Sequence, residues 1–183
     1  MKPGGGSIKG SAFERTIATR LSLWVSDFKH DDLYWRTSNS GGRATLKNKT
    51  STNAVLAHQA GDIAAMRPEG QLLLSMFIVE CKHWASLHMD KLIWGLHTEI
   101  ADAWVKLGAD CKRHRRMPML IGKQNLKPEI VILSEVGYRA LQYGIEGGAL
   151  PIHATYPQWR MVVIALRDMQ VLSFARIRQA AKE

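Results

Sequence analysis

Phe77-Ile78-Val79-Glu80-Cys81-Lys82-His83-Trp84 sets an apolar run against two opposite charges two residues apart. Read as a strand, the segment alternates its side chains between two faces. Glu80 and Lys82 then share one face, while Val79, Cys81 and His83 share the other. A carboxylate and an ammonium at the end of so apolar a strand are poor choices for a buried sheet, and a functional site explains them. The bland alternative is a cross-strand ion pair on the surface, which contributes little. The flanking Met76–Val79 and Trp84 argue instead for a central strand.

Upstream, Ala60-Gly61-Asp62-Ile63 places a second carboxylate at the start of another strand-like run, Asp62–Met66. A turn carrying Pro68 and Gly70 separates this run from Met76–His83. A hairpin from 62 to 82 brings Asp62 toward Glu80. Asp62, Glu80 and the backbone carbonyl of Cys81 then make a hard-oxygen site suited to Mg²⁺, with Mn²⁺ able to substitute. Read alone, Asp62 after Gly61 is also an ordinary turn residue.

Outward from this centre the pattern alternates helices and strands. Phe13, Ile17, Leu21 and Val25 recur every four residues and predict a helix from Ser11. Residues 36–60 are polar and without period, a basic loop carrying Arg36, Arg43, Lys47 and Lys49. A helical region from about Asp90 to Arg116 keeps Ile93, Leu96, Ile100, Trp104, Leu107 and Cys111 in helical spacing, with Gly95 as a break point. Strands are expected at Pro118–Ile121 and Glu129–Leu133, around a basic turn at Lys123-Gln124-Asn125. Ser134 caps a short helix reaching Tyr143 and ended by Gly144. A connector over 144–160 leads to a strand at Met161–Leu166 and a basic amphipathic tail. The reading is one mixed α/β domain over 10–183, preceded by a flexible basic segment over 1–9.

Composition bounds the function. The chain has 183 residues, 46% hydrophobic and 22% charged, with 25 basic against 16 acidic side chains and a formal charge of +9. A chain of this length buries roughly 70% of its unfolded surface and needs no staples. The surplus positive charge favours a polyanion, with nucleic acid first. The apolar run Leu72–Val79 is far too short for a membrane span, and MKPGGGSIKG has no apolar signal region. Two cysteines make no disulfide framework and suit a reducing cytoplasm, the host's if the source is viral. No nucleotide-binding glycine loop and no HExxH motif is present, so no cofactor-binding motif is assigned. The spacing of Cys81, His83, His88, Cys111 and His114 forms no recognised zinc finger.

Gly61-Asp62 followed by Glu80-Cys81-Lys82 resembles the PD-(D/E)xK nuclease superfamily, with Gly61 in place of the usual proline. Lys9-Gly10-Ser11-Ala12-Phe13-Glu14-Arg15 resembles the KGxxFER opening helix of the same superfamily. Arg36-Thr37-Ser38-Asn39-Ser40-Gly41 resembles the loop of archaeal-type Holliday junction resolvases. The resemblance implies a restriction-endonuclease-like α/β core ordered α-β-β-β-α-β, with a mixed sheet flanked by helices over about 10–133 and an extension over 134–183. It also implies Glu14, Ser40, Asp62, Glu80 and Lys82 as catalytic residues, with Glu14 a further metal-site carboxylate and Arg36 a phosphate contact. Metal-dependent endonucleolytic cleavage of DNA is the expected activity. A homodimer making paired symmetric nicks in a four-way junction is the expected form. Other DNA substrates in restriction, repair or recombination, and a non-catalytic DNA-binding protein of the same fold, are the competing readings.

Two local ambiguities remain open at this level. Ser11-x-x-Glu14 is also a capping box, in which the glutamate reaches back to the cap's own amide. The run Lys112-Arg113-His114-Arg115-Arg116 ends a helix, where positive charge complements the helix dipole. Its density favours contact with a DNA backbone through Lys112, Arg113, Arg115 and Arg116. Lys123 and Gln124 follow the next strand as residues near the site, Lys123 also as a DNA contact.

Overall fold

A parallel pair carries the candidate residues: β3 (Phe77–Trp84) runs beside β4 (Met117–Gln124), with Glu80 opposite Leu120 and Lys82 opposite Gly122. The computed structural model describes residues 5–37, 60–145, 152 and 154–180. β5 (Ile130–Leu133), β6 (Ala154–Tyr156) and β7 (Met161–Ala165) complete a mixed five-stranded sheet in the order β3-β4-β5-β7-β6. All five residues of β7 are buried, so the chain beyond 134 supplies an inner strand of this sheet. β1 (Tyr34–Arg36) and β2 (Ile63–Ala65) form a separate antiparallel pair, with Arg36 opposite Ile63.

Helix α1 (Gly5–Val25) begins before Ser11 and lies against β3. Its four-residue stripe of Phe13, Ile17, Leu21 and Val25 is buried throughout. Full burial of each such side chain contributes about 1.5–3 kcal/mol. This core also takes Val79 and Cys81 of β3, Met119 and Ile121 of β4, and residues of α5 (Glu135–Gln142), α6 (Leu166–Gln170) and α7 (Phe174–Ala180). The C-terminal helices are tied back to α1: Trp24 Nε1 donates to the Leu172 carbonyl at 3.0 Å, and its ring meets Phe174 edge-on. Ser134 caps α5 by accepting from the Gly137 amide at 3.1 Å, as its sequence position suggests.

The opposite sheet face packs on α4 (Glu99–His114) through Ile78, Trp84, Leu120, Ile100, Trp104, Leu107 and Cys111. The expected long helix is two: α3 (Met89–Ile93) stops before Gly95, whose φ is +67°, and Thr98 starts α4 by accepting from the Ala101 amide at 3.2 Å. Leu96 falls in that break and is exposed rather than on the buried stripe.

Three expectations need correction. β2 does not form a hairpin with β3. It pairs with β1, and the link to β3 contains a 3-10 turn (Pro68–Gly70) and a short helix, α2 (Gln71–Met76). Leu72–Met76 is therefore helical; a short apolar run does not by itself distinguish helix from strand. Among the described residues β3 is an edge of the five-stranded sheet rather than a central strand. Its open side is met by Asp62, which explains how so apolar a strand tolerates an edge position. From α1 to β4 the order is helix, two strands, the 3-10 turn and α2, strand, two helices and strand, so α2 interrupts the expected run of three strands. This is an α/β fold of restriction-endonuclease-like type, with a mixed central sheet flanked by helices.

Candidate active site at the open edge of strand β3

The open edge of β3 is closed by one aspartate. Asp62 donates its amide to the Val79 carbonyl at 2.9 Å, and its Oδ2 accepts from the Cys81 amide at 2.8 Å. An extended strand turns the N–H and C=O of one residue to the same side, so the Cys81 carbonyl also faces this edge. The approach is close enough to dictate the residue at 61. A Cβ on Gly61 would lie 2.5 Å from the Val79 carbonyl oxygen, and Gly61 has φ +90°. Proline fixes φ near −65°, so the usual proline of the motif cannot occupy this backbone. The departure at the motif's first letter thus has a local cause.

Strand alternation places the remaining groups. Val79 and Cys81 pack toward α1, and the His83 ring meets Phe13 of α1 at 5.7 Å. Glu80 and Lys82 take the other face, as expected, and Lys82 Nζ donates to Glu80 Oε1 at 2.6 Å. From the α1 side comes Glu14, buried, whose Oε2 accepts from Arg36 Nε at 2.9 Å. The capping-box reading of Glu14 falls, because α1 starts at Gly5 and Ser11 lies in its interior. Arg36, expected as a phosphate contact, is brought in as the partner of Glu14.

The electrostatics show three carboxylates around one strand edge. Burial, and next the Glu80 charge, push the Asp62 carboxyl from 3.8 up to about 7, with Glu14 adding to the rise. The Cys81 amide and Lys82 oppose that shift without cancelling it. Burial and then Asp62, Glu80 and Glu14 likewise drive the Cys81 thiol well above its ordinary value. Burial works against the Lys82 ammonium, but its hydrogen bond and charge interaction with Glu80 hold its pKa above the usual value. These interactions favour the charged form of Lys82, which donates to Glu80.

The donor set fits a hard divalent cation. Asp62, Glu80 and the Cys81 carbonyl offer oxygen alone, and Asp62 is a buried carboxyl crowded by the like charges of Glu80 and Glu14. As they stand, no three His, Cys, Asp or Glu side chains among the described residues are gathered tightly enough to hold an ion. Lys82 holds Glu80 and Arg36 holds Glu14 instead.

The basic candidates divide. Lys112, Arg113, Arg115 and Arg116 lie where β4 begins, at the end of the sheet where Phe77 pairs with Met117. Glu80 and Lys82 lie three and five residues further along β3. Arg113 pairs with Asp110, and Arg115 closes the helix with φ +54°. Burial, with Arg116 next, lowers the His114 pKa, so His114 adds no charge to this run at neutral pH. Lys123 sits at the site end of β4, opposite His83, and is held by Glu129 at 2.7 Å. Gln124 accepts from the Leu87 amide at 3.3 Å. Ser40, Arg43, Lys47 and Lys49 fall outside the described residues.

Sequence reasoning missed Thr37. It is buried, its amide donates to the Asp62 carbonyl at 2.8 Å, and its hydroxyl donates to the Gly61 carbonyl at 2.9 Å. Its place beside Arg36 was the available signal, but nothing in the sequence pairs 37 with 61. Among the described residues no helix is long and apolar enough to cross a membrane. A family described as "Phage putative PDDEXK endonuclease" matches residues 6–170, which takes in both the carboxylate edge and the inner strand β7. No curated protein and no solved structure matches the chain.

Proposed function

As the chain belongs to the phage PDDEXK endonuclease family, we propose that its nuclease chemistry is Mg²⁺-dependent hydrolysis of DNA phosphodiesters, with Mn²⁺ able to substitute. The observation that carries this reading is the gathering of Glu14, Asp62 and Glu80 around the β3 edge, with Lys82 and Arg36 as their cations. Asp62, Glu80 and the Cys81 carbonyl would hold the metal, and Glu14 would support a further ion or a water. A divalent cation bound there supplies Lewis acidity at the scissile phosphate.

The chain's own groups do the rest. Lys82, kept charged by its carboxylate neighbours, orients the attacking water and offsets charge building on the phosphate oxygens. Water attacks phosphorus in line, the P–O3′ bond breaks, and the products carry a 5′-phosphate and a 3′-hydroxyl. Water's proton passes to solvent and the leaving 3′-oxygen takes one up, so the net reaction consumes one water. Arg36, Lys112, Arg113, Arg115, Arg116 and Lys123, with Arg43, Lys47 and Lys49, would contact the DNA backbone. Ser40 would join the site, as the resolvase resemblance implies.

The same resemblance makes a four-way junction the first substrate to try and a homodimer the first assembly to test, since two-fold symmetry pairs the nicks. A soluble enzyme of the cytoplasm, the host's for a phage protein, fits this reading. The experiment uses matched panels of junction, flap, linear duplex and single strand at stated salt. Lys82→Ala and Glu80→Ala are expected to abolish cutting while DNA binding survives. Undiminished cleavage by either variant rejects the site. Preference for linear duplex transfers the activity to a restriction or repair substrate. No cutting of any DNA with Mg²⁺ or Mn²⁺ leaves a DNA-binding protein.

A further inference from the structure

Five polar or charged side chains are buried among the described residues: Glu14, Ser22, Thr37, Asp62 and Thr98. Ser22 accepts the Tyr34 amide and Thr98 caps α4, both structural tasks. Glu14 and Asp62 belong to the carboxylate edge. Thr37 is hydrogen-bonded to backbone carbonyls rather than to a carboxylate, and it grips the chain that carries Asp62.

The grip falls on one peptide plane. The Gly61–Asp62 peptide has two polar ends: its carbonyl accepts from the Thr37 hydroxyl at 2.9 Å, and its N–H donates to the Val79 carbonyl at 2.9 Å. The plane is therefore pinned on one side by the end of β1 and on the other by β3. Gly61 lacks a Cβ and samples positive φ freely, so nothing in residue 61 itself holds that plane. Beyond it, the Asp62 carbonyl accepts from the Thr37 amide at 2.8 Å, fixing the next peptide as well. Orientation of these two planes sets the direction in which Asp62 leaves the backbone. Its carboxylate can then accept from Cys81 while remaining beside Glu80.

We infer that Thr37 is a positioning residue for Asp62: its hydroxyl locks the Gly61–Asp62 peptide so that the carboxylate is presented to a divalent cation at the β3 edge. This rests on the nuclease reading above. The threonine's hydrogen bonds go to the Gly61 and Asp62 carbonyls, so it acts through the backbone, in the manner of groups that orient metal ligands from outside the coordination sphere.

The test uses the full chain and two measurements. Mn²⁺ alone, without DNA, is titrated calorimetrically into wild type and into Thr37→Val, Thr37→Ala and Thr37→Ser. Valine keeps the shape and removes the hydroxyl, alanine is a second hydroxyl-free variant, and serine restores the donor. Mn²⁺ affinity is expected to fall about tenfold or more in T37V and T37A and to recover in T37S. In cleavage assays kcat falls with it, while KM for DNA stays at the wild-type value. Equal Mn²⁺ affinity in T37V and wild type overturns the inference, and so does a T37S as impaired as T37V. Loss of folding in both hydroxyl-free variants, with T37S folded, also overturns it, because the hydroxyl then serves the fold. Wild type that neither binds Mn²⁺ nor cuts DNA defeats the nuclease reading itself, a result distinct from failure of the T37 variants alone.

Discussion

Two ionic clusters stand near the C-terminal ends of β3 and β4, built from the same residue types with opposite balance. On the β4 side Glu129 is held by Lys123 at 2.7 Å and by Arg20 at 3.2 Å. Burial opposes its charge, but Lys123 and then Arg20 more than compensate, and its pKa lies below the usual carboxylate value. On the β3 edge three carboxylates face the cations Lys82 and Arg36, and Asp62 is pushed up to about 7. The first cluster is satisfied and closes the end of the sheet. The second is short of positive charge in a place where the backbone has been bent to hold it. A divalent cation at the β3 edge, as proposed above, would offset that shortage.

The largest expected effect tests the deficit directly. Asp62→Asn and Glu80→Gln remove oxygen charge at the edge, and each is expected to lower the cleavage rate at least about 100-fold, measured in single-turnover assays. Glu129→Gln in the satisfied cluster should leave that rate within about twofold, since Glu129 touches no group at the edge. A Glu129 variant as inactive as the Asp62 variant would erase the distinction between the clusters.

Gly61→Ala comes next, because it attacks the bend that delivers Asp62. The added Cβ meets the Val79 carbonyl, and φ +90° is strained for alanine. Urea unfolding should show a loss of about 1–3 kcal/mol, together with lost cutting.

The pH dependence of stability should have opposite signs in the two clusters. Asp62 holds its proton in the native state up to about 7 but releases it near 3.8 when unfolded. Between those values the native state binds more protons, so metal-free stability should decline as pH rises through this window. Glu129 has a lowered pKa, so its contribution is present above its ordinary value of 4.5 and fades as pH falls through the folded value. Thermal unfolding in EDTA from about pH 2 to 8 checks both windows. Asp62→Asn should flatten the decline, and Mn²⁺ should restore stability at the alkaline end.

The smallest effect is on stability in the satisfied cluster. Glu129→Gln keeps much of the shape and loses charge, and should cost about 1 kcal/mol, read by the same urea titration.

How much of this was legible beforehand follows from the range of each interaction. The apolar stripe of α1, the strands β3, β5 and β7, the break at Gly95 and the Ser134 cap are written within a few residues, where period and capping chemistry act. Glu80 and Lys82 were legible for the same reason, since alternation alone puts them on one face. The pairing of β2 was not, because three-residue strands carry too little pattern to name a partner across a long loop. Helix α2 was hidden inside an apolar run that suits either state. Glu14 had two local readings, and only the contact with Arg36 and the early start of α1 separated them.

By itself, then, the sequence determined which side chains share a face, which segments bury and which residue types form the oxygen-rich edge. These follow from local periodicity and from the chemistry of the residues. Only the tertiary structure decided that β3 is an edge strand, that Asp62 caps it, that Gly61 alone fits against Val79, and that Thr37 fixes the intervening peptide. Those outcomes depend on hydrogen bonds between residues far apart in the chain, made to backbone groups that every residue possesses, so no local pattern announces them.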